Sequence, residues 1–458
     1  MNEIVSLAQL MVTKRDPACV VSFCPSGCIT WEQFQTDVYV LSQQLLHHSA
    51  HRWAICTEDS YLFAVAFMAA AHTGRHIILP GNLQPAALAE LTQHFDAILH
   101  DNKVEVPLGM PALLLNQSET VLFAHDEEQY DFQPLNLAAV FLTLFTSGSS
   151  GAPKAIQKSL NVLDAELSQL QAMWGVKTAN SKVVSTVSHQ HIYGLLFRLL
   201  WPLCTGRGFA RYDFVYPEQV MAQLSSDSVL VSSPALLKRL DGLPSTQGYR
   251  AIFSSGGPLT LTAAQQTLVL LQQLPIEVFG STETGGIAYR QQAGSNTPWQ
   301  AFPVVEIQLN AEQCLSLRSP FINPETWYQT ADQCLLLSPQ QFEVKGRIDR
   351  VIKVEEKRIS LSEIEQRLCQ LDGVDEAAVL PLEQKNRLVI AAVITLTSIG
   401  QTAINEQGKG KYWLTLRQAL RQWIEPVGIP RRLRVVQQIP LNSQGKRLMY
   451  DLEQLFID

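Results

Sequence analysis

The segment Ala138-Ala139-Val140-Phe141-Leu142-Thr143-Leu144-Phe145 runs directly into Thr146-Ser147-Gly148-Ser149-Ser150-Gly151-Ala152-Pro153-Lys154. The first part reads as a buried strand. The second is built from small and hydroxylated residues, so backbone N–H groups can approach a ligand's oxygens closely, and the hydroxyls of Thr146, Ser147, Ser149 and Ser150 add donors. Together they describe a strand ending in a phosphate cradle. Only two residues separate Gly148 from Gly151, and Pro153 precedes Lys154. A Walker P-loop needs a four-residue gap and a Lys-Ser/Thr ending, so P-loop kinases and GTPases do not fit.

The same strand logic recurs along the chain. Thr30 can cap a helix that begins at Trp31-Glu32 and carries Leu41, Leu45 and Leu46. Phe63, Ala66, Phe67, Ala70 and Ala71 recur at helical spacing, and His76-Ile77-Ile78-Leu79-Pro80 then reads as a buried strand. Such alternation predicts a mainly parallel sheet flanked by helices. Beyond the loop, Leu160, Leu163, Leu167, Leu170 and Met173 mark an amphipathic helix. Apolar strands follow at 228–231, 251–253 and 276–279. The last 110 or so residues predict a charged helix near 361–371, a strand at 388–394, a polar loop over 400–411 and a helix around 414–423. They can form their own small α+β domain.

At 458 residues the chain exceeds the roughly 250–300 that one hydrophobic core supports. The expected fold is therefore α/β with two domains: residues 1–348, with mainly parallel sheets and flanking helices, and 349–458, joined at Gly346-Arg347-Ile348-Asp349-Arg350. The net charge of −7 divides into −9 for the first part and +2 for the second, where Arg431, Arg432 and Arg434 cluster. That cluster is a solvated face or a surface for an acidic partner. Eight cysteines show no paired CxxC spacing, which fits reduced thiols. No signal peptide or membrane-length apolar stretch is visible, so a cytoplasmic location is expected, with no membrane span and no nucleic-acid partner. The histidines scattered through residues 47–100 lack ligand spacing and read as structural.

Four further motifs carry chemistry. Ser254-Ser255-Gly256-Gly257-Pro258-Leu259 is a tight turn after a strand, bare enough to lie against a flat ring. Phe279-Gly280-Ser281-Thr282-Glu283-Thr284-Gly285 couples an aromatic to a hydroxyl and a carboxylate, suited to base stacking, phosphate contact and Mg²⁺. Tyr328-Gln329-Thr330-Ala331-Asp332 supplies an acceptor for ribose hydroxyls, and Gly346-Arg347 a permanently charged planar donor. Lys446 lies in Asn442-Ser443-Gln444-Gly445-Lys446, far along the chain. Taken singly, each has a plain alternative: a surface turn, a solvated acid, a turn cap, a tail lysine.

Their order and spacing, over about residues 29–455, resemble the adenylate-forming (acyl-activating, AMP-binding) superfamily of acyl- and aryl-CoA synthetases, peptide-synthetase adenylation domains and luciferases. The most specific segments are 146–154, 279–285 and 346–365. The resemblance implies an ATP- and Mg²⁺-dependent ligase. Thr146, Ser147, Gly148, Ser149, Ser150, Gly151 and Lys154 would hold the β- and γ-phosphates, and Gly256, Gly257 and Phe279 would flank adenine. Thr282 would contact the α-phosphate, Glu283 would bind Mg²⁺, and Asp332 and Arg347 would hold the ribose. Lys446 would bridge the substrate carboxylate and the α-phosphate. Asp349 would be the hinge about which a mobile C-terminal domain turns.

The acid pocket falls on Ser188-His189-Gln190-His191-Ile192-Tyr193-Gly194-Leu195, with Ser255 and Gly280. Amino-acid-activating relatives usually carry an aspartate here for the substrate ammonium, and this chain has none. His191 would lie near the carboxylate and Tyr193 would offer its phenol to a ring substituent, as in the aryl- and acyl-activating branch; either can instead simply pack. Two features depart from the family pattern. The chain is short for the family, and Glu356 stands where the family normally has glycine in Ile352-Lys353-Val354-Glu355-Glu356-Lys357-Arg358-Ile359. In relatives that backbone lies beside the pantetheine arm, so Glu356 puts ordinary CoA chemistry in doubt. The expectation is a bacterial-type acid–thiol ligase that adenylates a small aryl or acyl acid and passes it to CoA or an acyl carrier protein. An amino-acid-activating enzyme and a non-catalytic nucleotide-binding protein are the alternatives.

Overall fold

The computed structural model describes residues 4–116, 130–147, 153–240, 242, 247–257, 259–294, 297–347, 351–384, 387–440 and 449–457. The chain forms two compact units. One comprises Met1–Gly81, Leu91–Phe145 and Ala155–Ile348; the other comprises Asn82–Glu90, Thr146–Lys154 and Asp349–Asp458.

In the first unit, helix Trp31–Leu46 starts where Thr30 accepts a bond from the Gln33 N–H at 3.4 Å, and it buries Trp31, Phe34, Val38, Leu41 and Leu45. Helix Ser60–His72 is apolar all round and buried along nearly its whole length, as a core helix must be. Asp59 caps it, accepting from Tyr61 and Leu62. These helices serve a six-stranded sheet ordered Ala112–Leu114, Ala97–His100, Arg52–Cys56, His76–Leu79, Phe141–Ser147, Pro153–Ser159. Its first five strands run parallel. The buried run 138–145 is thus an inner strand, aligned so that Leu144 pairs with Leu79.

Among the described residues a second sheet has thirteen strands. Its centre is parallel, with Lys182–Ser185, Ser228–Ser232, Ala251–Ser254 and Ile276–Ser281 side by side. The sequence pattern foresees three of these four strands, not Lys182–Ser185. It does not foresee the antiparallel arm that follows, from Gly285–Arg290 through Trp299–Ala301 and Gln341–Arg347 to the sixteen-residue strand Asn323–Ser338. Much of that long strand is exposed, so no continuous apolar run announces it.

In the second unit, hairpin Val351–Val354/Lys357–Ser360 leads into helix Leu361–Cys369, whose Ser360 cap accepts from the Glu363 N–H at 3.1 Å. Strands Val374–Gln384 and Arg387–Leu396 pair antiparallel, and Arg432–Val435 adds in parallel. The expected polar loop over 400–411 is instead two helices, Ser398–Gln407 and Lys409–Leu420, meeting at Gly408 with φ +81°. Gly400 misleads because it is a packing residue: a Cβ there would lie 2.0 Å from the Gly373 carbonyl oxygen. Thr397 caps the first of these helices. No helix among the described residues is long and apolar enough to cross a membrane.

Candidate functional site

Parallel sheets gather ligands beyond the carboxyl ends of their strands. In the first unit those ends carry Ser255, Gly256, Gly257, Phe279, Gly280, Thr282 and Glu283. Strand Ile276–Ser281 leads through Thr282-Glu283-Thr284 into Gly285–Arg290, with a register shift between Phe279 and Gly280. The turn is bonded to itself. The Ser281 N–H donates to Thr284 Oγ1 at 3.0 Å, and Thr284 Oγ1 donates to the Gly285 carbonyl at 2.8 Å. Gly280 is required by close approach, since a Cβ would meet the Gly285 carbonyl oxygen at 2.2 Å. Thr282 and Glu283 are 9% and 8% exposed, placed at the rim of the core rather than out in solvent.

Phe279 leans on Trp299 and Phe342, with ring centroids 5.3 and 5.8 Å away. Arg290 caps Trp299 at 4.3 Å and is held by buried Glu277 through bonds of 3.0 and 3.1 Å. Gln292 also donates to Glu277, at 2.7 Å. The ring of Phe279 therefore has a rigid backing that the motif alone does not reveal. On the neighbouring strand, Ser255 Oγ donates to the Val278 carbonyl at 2.8 Å, tying the 254–257 turn to Phe279's strand. Gly256 has φ +91°, a left-handed backbone that favours glycine.

Two buried charges outside every motif reach the same turn. Lys158 Nζ donates to the carbonyls of Glu283, at 3.1 Å, and Phe321, at 2.9 Å. Glu166 Oε1 accepts from the Gly286 N–H at 2.7 Å. Burial pushes the Glu166 carboxyl up to about 7, opposed by Lys158 and the Gly286 N–H, and burial lowers the Lys158 ammonium from its ordinary value. The sequence held one clue: Glu166 lies among Leu163, Leu167 and Leu170, on the apolar side of its helix.

Tyr193 and His191 lie on the same unit. Tyr193 packs tilted against Phe197 at 4.9 Å, which in turn meets Phe253 at 5.1 Å, one residue before Ser254. Its buried hydroxyl has no acceptor for its proton, the Ser232 main chain lies beside it, and burial raises the phenol well above its ordinary range, opposed by that main chain. Ser254 Oγ is likewise buried and unpartnered. A Cβ on Gly81 would fall 2.7 Å from the Phe145 carbonyl and 4.0 Å from the His191 ring, so His191 lies near the carboxyl end of the 141–147 strand. Gly194 is a packing residue, since a Cβ would sit 2.0 Å from the Ser188 carbonyl oxygen. His189 is fixed by Ser60 and the Thr57 carbonyl, a structural histidine. Asp332, 8% exposed, is the cross-strand partner of Arg347.

In the second unit, Thr146 Oγ1 is buried with no partner, an orphaned hydroxyl at the mouth of the loop, and Lys154 is exposed. Gly148, Ser149, Ser150, Gly151, Asp349 and Lys446 lie outside the described residues, as do the side chains of Ser147 and Arg347. No group of three or more His, Cys, Asp or Glu that could hold a metal occurs among the described residues. Glu283 as a single carboxylate fits Mg²⁺, which takes one or two carboxylates and completes its octahedron with phosphate oxygens and water.

Residues 9–310 match the AMP-binding enzyme family, and residues 363–446 match the AMP-binding enzyme C-terminal domain. The chain belongs to the AMP-binding enzymes. Among its relatives is a putative long chain fatty acid-CoA ligase, VraA, of Staphylococcus haemolyticus, 25% identical over 356 residues, 72% of this chain and 74% of the relative. Another is a D-alanine–D-alanyl carrier protein ligase of Staphylococcus aureus, 27% identical over 223 residues, 47% of this chain and 42% of that protein. The amide bond synthetase McbA of Marinactinospora thermotolerans has the same fold: TM-score 0.81 at 17% identity, over 99% of this chain and all of that one. In this AMP-binding enzyme, then, the 279–286 turn and its buried supports belong to the larger of the two family regions.

Proposed function

We propose that this chain is an AMP-forming acid–thiol ligase. It adenylates a small aryl or acyl carboxylic acid with ATP, releases pyrophosphate, and passes the acyl group to the thiol of a carrier protein or CoA. The observation that carries this reading is the Phe279–Gly286 segment. A ring with rigid backing, a rim hydroxyl and a rim carboxylate follow one another at the carboxyl end of a parallel strand. Phe279, with Gly256 and Gly257, would sandwich adenine. Thr282 would donate to the α-phosphate, Asp332 and Arg347 would hold the ribose, and the 146–154 loop would receive the β- and γ-phosphates. Mg²⁺ held by Glu283 would offset the negative charge that accumulates as one anion attacks another. His191 would orient the acid. The Tyr193 hydroxyl, whose proton has no acceptor, suits an acid with a polar substituent, because a buried donor left unmade is costly.

The acceptor is proposed to be an acidic carrier protein. Arg387, Arg431 and Arg432 line a cavity of about 650 Å³ with Gln384 and Val389 on the second unit. Arg434, grouped with them in the sequence, is engaged elsewhere: its Nε donates to the Leu455 carbonyl and its guanidinium covers Phe456. Charge reversal at Arg431 and Arg432 should therefore slow transfer to carrier protein, and equal turnover of the two proteins would exclude this surface.

ATP–pyrophosphate exchange over a panel of aryl, short-chain and medium-chain acids tests the reaction itself, and silence with every acid would reject it. Within it, Lys446→Ala should lower exchange by about 10²-fold or more, the scale of losing one preorganised charge. A preformed acyl-adenylate should still react with thiol at the normal rate. Asp349→Pro should show the opposite pattern if residue 349 is the hinge. Equal losses in both half-reactions would refute these assignments.

A further inference from the structure

Lys158 and Glu166 come from the strand Pro153–Ser159 and the helix Leu160–Trp174, and neither belongs to a motif that marks the site. They are 5% and 2% exposed. Burying ionisable groups this deeply is unfavourable unless they are matched by opposite charge and hydrogen bonds. Here the matching runs through the main chain of one turn. The cation takes the carbonyl of Glu283, and the anion takes the N–H of Gly286. A Cβ on Gly285 would lie 2.5 Å from Glu166 Oε2, and one on Gly286 3.2 Å from Oε1, so the carboxylate lies flush against the turn. Glu166 Oε2 has no hydrogen-bond partner, so packing against these glycines, not saturation of the carboxylate, governs its position. Lys158 also binds the Phe321 carbonyl, which anchors the turn to a loop of the antiparallel arm.

An apolar pair would fill the same space, but it would remove the bonds that Lys158 and Glu166 make to the Glu283 carbonyl and the Gly286 N–H at the core's edge. The two charges thus specify backbone orientation, not merely volume. The turn's own bonds, among Ser281, Thr284 and Gly285, do not involve the main chain of Thr282 or Glu283. Lys158 adds a restraint there, at the Glu283 carbonyl.

We propose that Lys158 and Glu166 are positioning residues: a buried charge clamp that fixes the 281–286 main chain, and with it the placement of Thr282 and Glu283, before nucleotide binds. The proposal rests on the assignment of Thr282 and Glu283 to phosphate and metal. Sites of this kind need their groups held within about 0.5 Å of the productive geometry.

The test uses the full chain and the variants Lys158→Met, Lys158→Arg and Glu166→Gln. Amide hydrogen exchange without nucleotide should accelerate about tenfold or more over 281–286 in Lys158→Met, with the remainder of the first unit changed far less. In ATP–pyrophosphate exchange, the Mg²⁺ half-saturation of Lys158→Met should rise about tenfold and kcat fall by 10-fold or more, while the KM for ATP moves little. Lys158→Arg should recover part of both effects. Glu166→Gln, whose amide oxygen can still accept from Gly286, should fall between. Combining Lys158→Met with Glu166→Gln should cost less than the product of the single effects, since each single change strands the other's charge. Faster exchange spread evenly over the first unit, with the Mg²⁺ response unchanged, would show that Lys158 only holds the core and would overturn the clamp. So would local loosening with normal kcat and Mg²⁺ response. If Lys158→Met does not fold, Lys158→Arg and Glu166→Gln decide by the same readings. A wild-type protein that exchanges pyrophosphate with no acid would sink the ligase reading, and the local hydrogen-exchange contrast would still decide whether the clamp exists.

Discussion

Two tight turns, each in its own unit, solve the same geometric problem in opposite ways. The 281–286 turn puts its left-handed backbone on a glycine, Gly285 at φ +67°, closes on its own hydroxyls and is gripped by buried charges from a distant strand and helix. The turn of the 351–360 hairpin puts it on Glu355, at φ +59°, a residue with a side chain to accommodate. Its neighbour Glu356 has a carboxyl that burial pushes up to about 7, against the opposing charge of Lys357, and Lys357 pairs with Glu425 at 2.5 Å. The first turn is over-determined and its chemistry depends on placement. The second carries its strain on a residue with a side chain, whereas a carboxyl that burial pushes up to about 7 is common to both, Glu166 at the first turn and Glu356 at the second. The contrast also relocates the departure noted at Glu356: the family's glycine position is not the left-handed one here, so Glu356 changes charge and bulk without straining its own backbone.

The sharpest way to break this comparison is to load the first turn. Gly285→Ala would force a Cβ to within 2.5 Å of Glu166 Oε2 and 3.0 Å of Phe321 Cβ, in a left-handed backbone. Left-handed strain of about 1–2 kcal/mol plus overpacking of about 1–3 kcal/mol should lower stability by roughly 2–5 kcal/mol in denaturant titration. Pyrophosphate exchange should fall at least tenfold even where the protein is fully folded. A variant as stable and active as the parent would show that the turn is not over-determined at all.

Why the second turn's strain escaped notice in the sequence, while the first turn's chemistry did not, is a matter of which forces leave a local mark. Phe279-Gly280-Ser281-Thr282-Glu283 is legible as a candidate site because its aromatic, hydroxyl and carboxylate are contiguous, and the parallel strands that carry it are legible because burial on both faces makes them apolar throughout. Lys158 and Glu166 act through space across more than a hundred residues, so nothing adjacent to either one names its partner. The Glu277–Arg290–Trp299 backing of Phe279 is hidden for the same reason. The helical stretch 398–411, which reads as a loop while the helix around 414–423 is legible, is hidden by Gly400, whose meaning depends on Gly373 packing against it. Local chemistry reads out of a sequence directly, and tertiary restraint does not.

A smaller effect is the pH response that Glu356 gives the second turn. The Glu356 carboxyl holds its proton in the folded chain up to about 7, against an ordinary value of 4.5. Between those values the folded state binds more protons than the unfolded state, so this group lowers stability progressively as pH rises from about 4.5 to 7 and adds nothing further above that. Glu356→Gln abolishes the titration. Its stability relative to the parent should therefore climb across that window and then level off, as read by denaturant midpoints at a series of pH values. A difference that does not vary with pH would place Glu356 in water and leave Glu166 as the buried carboxyl of the pair.

The smallest effect is also the most discriminating. Glu355→Gly should relieve the left-handed strain on a side-chain-bearing residue, worth about 1–2 kcal/mol, but glycine also gains freedom in the unfolded chain, at a cost of about 0.5–1 kcal/mol. The balance is a stabilisation of roughly 0–1.5 kcal/mol, centred on about 0.75, visible as a higher denaturant midpoint with unchanged slope. Such a gain would mean that the strain at 355 contributes nothing to holding the hairpin and that a more stable residue is available at this turn. Measured thiol transfer then becomes informative: if Glu355→Gly stabilises the chain yet slows transfer while leaving pyrophosphate exchange intact, the strained turn serves the second half-reaction as the clamped turn serves the first. Loss of stability on the same substitution would instead show that the Glu355 side chain makes contacts that outweigh its backbone strain, and the two turns would differ in composition only.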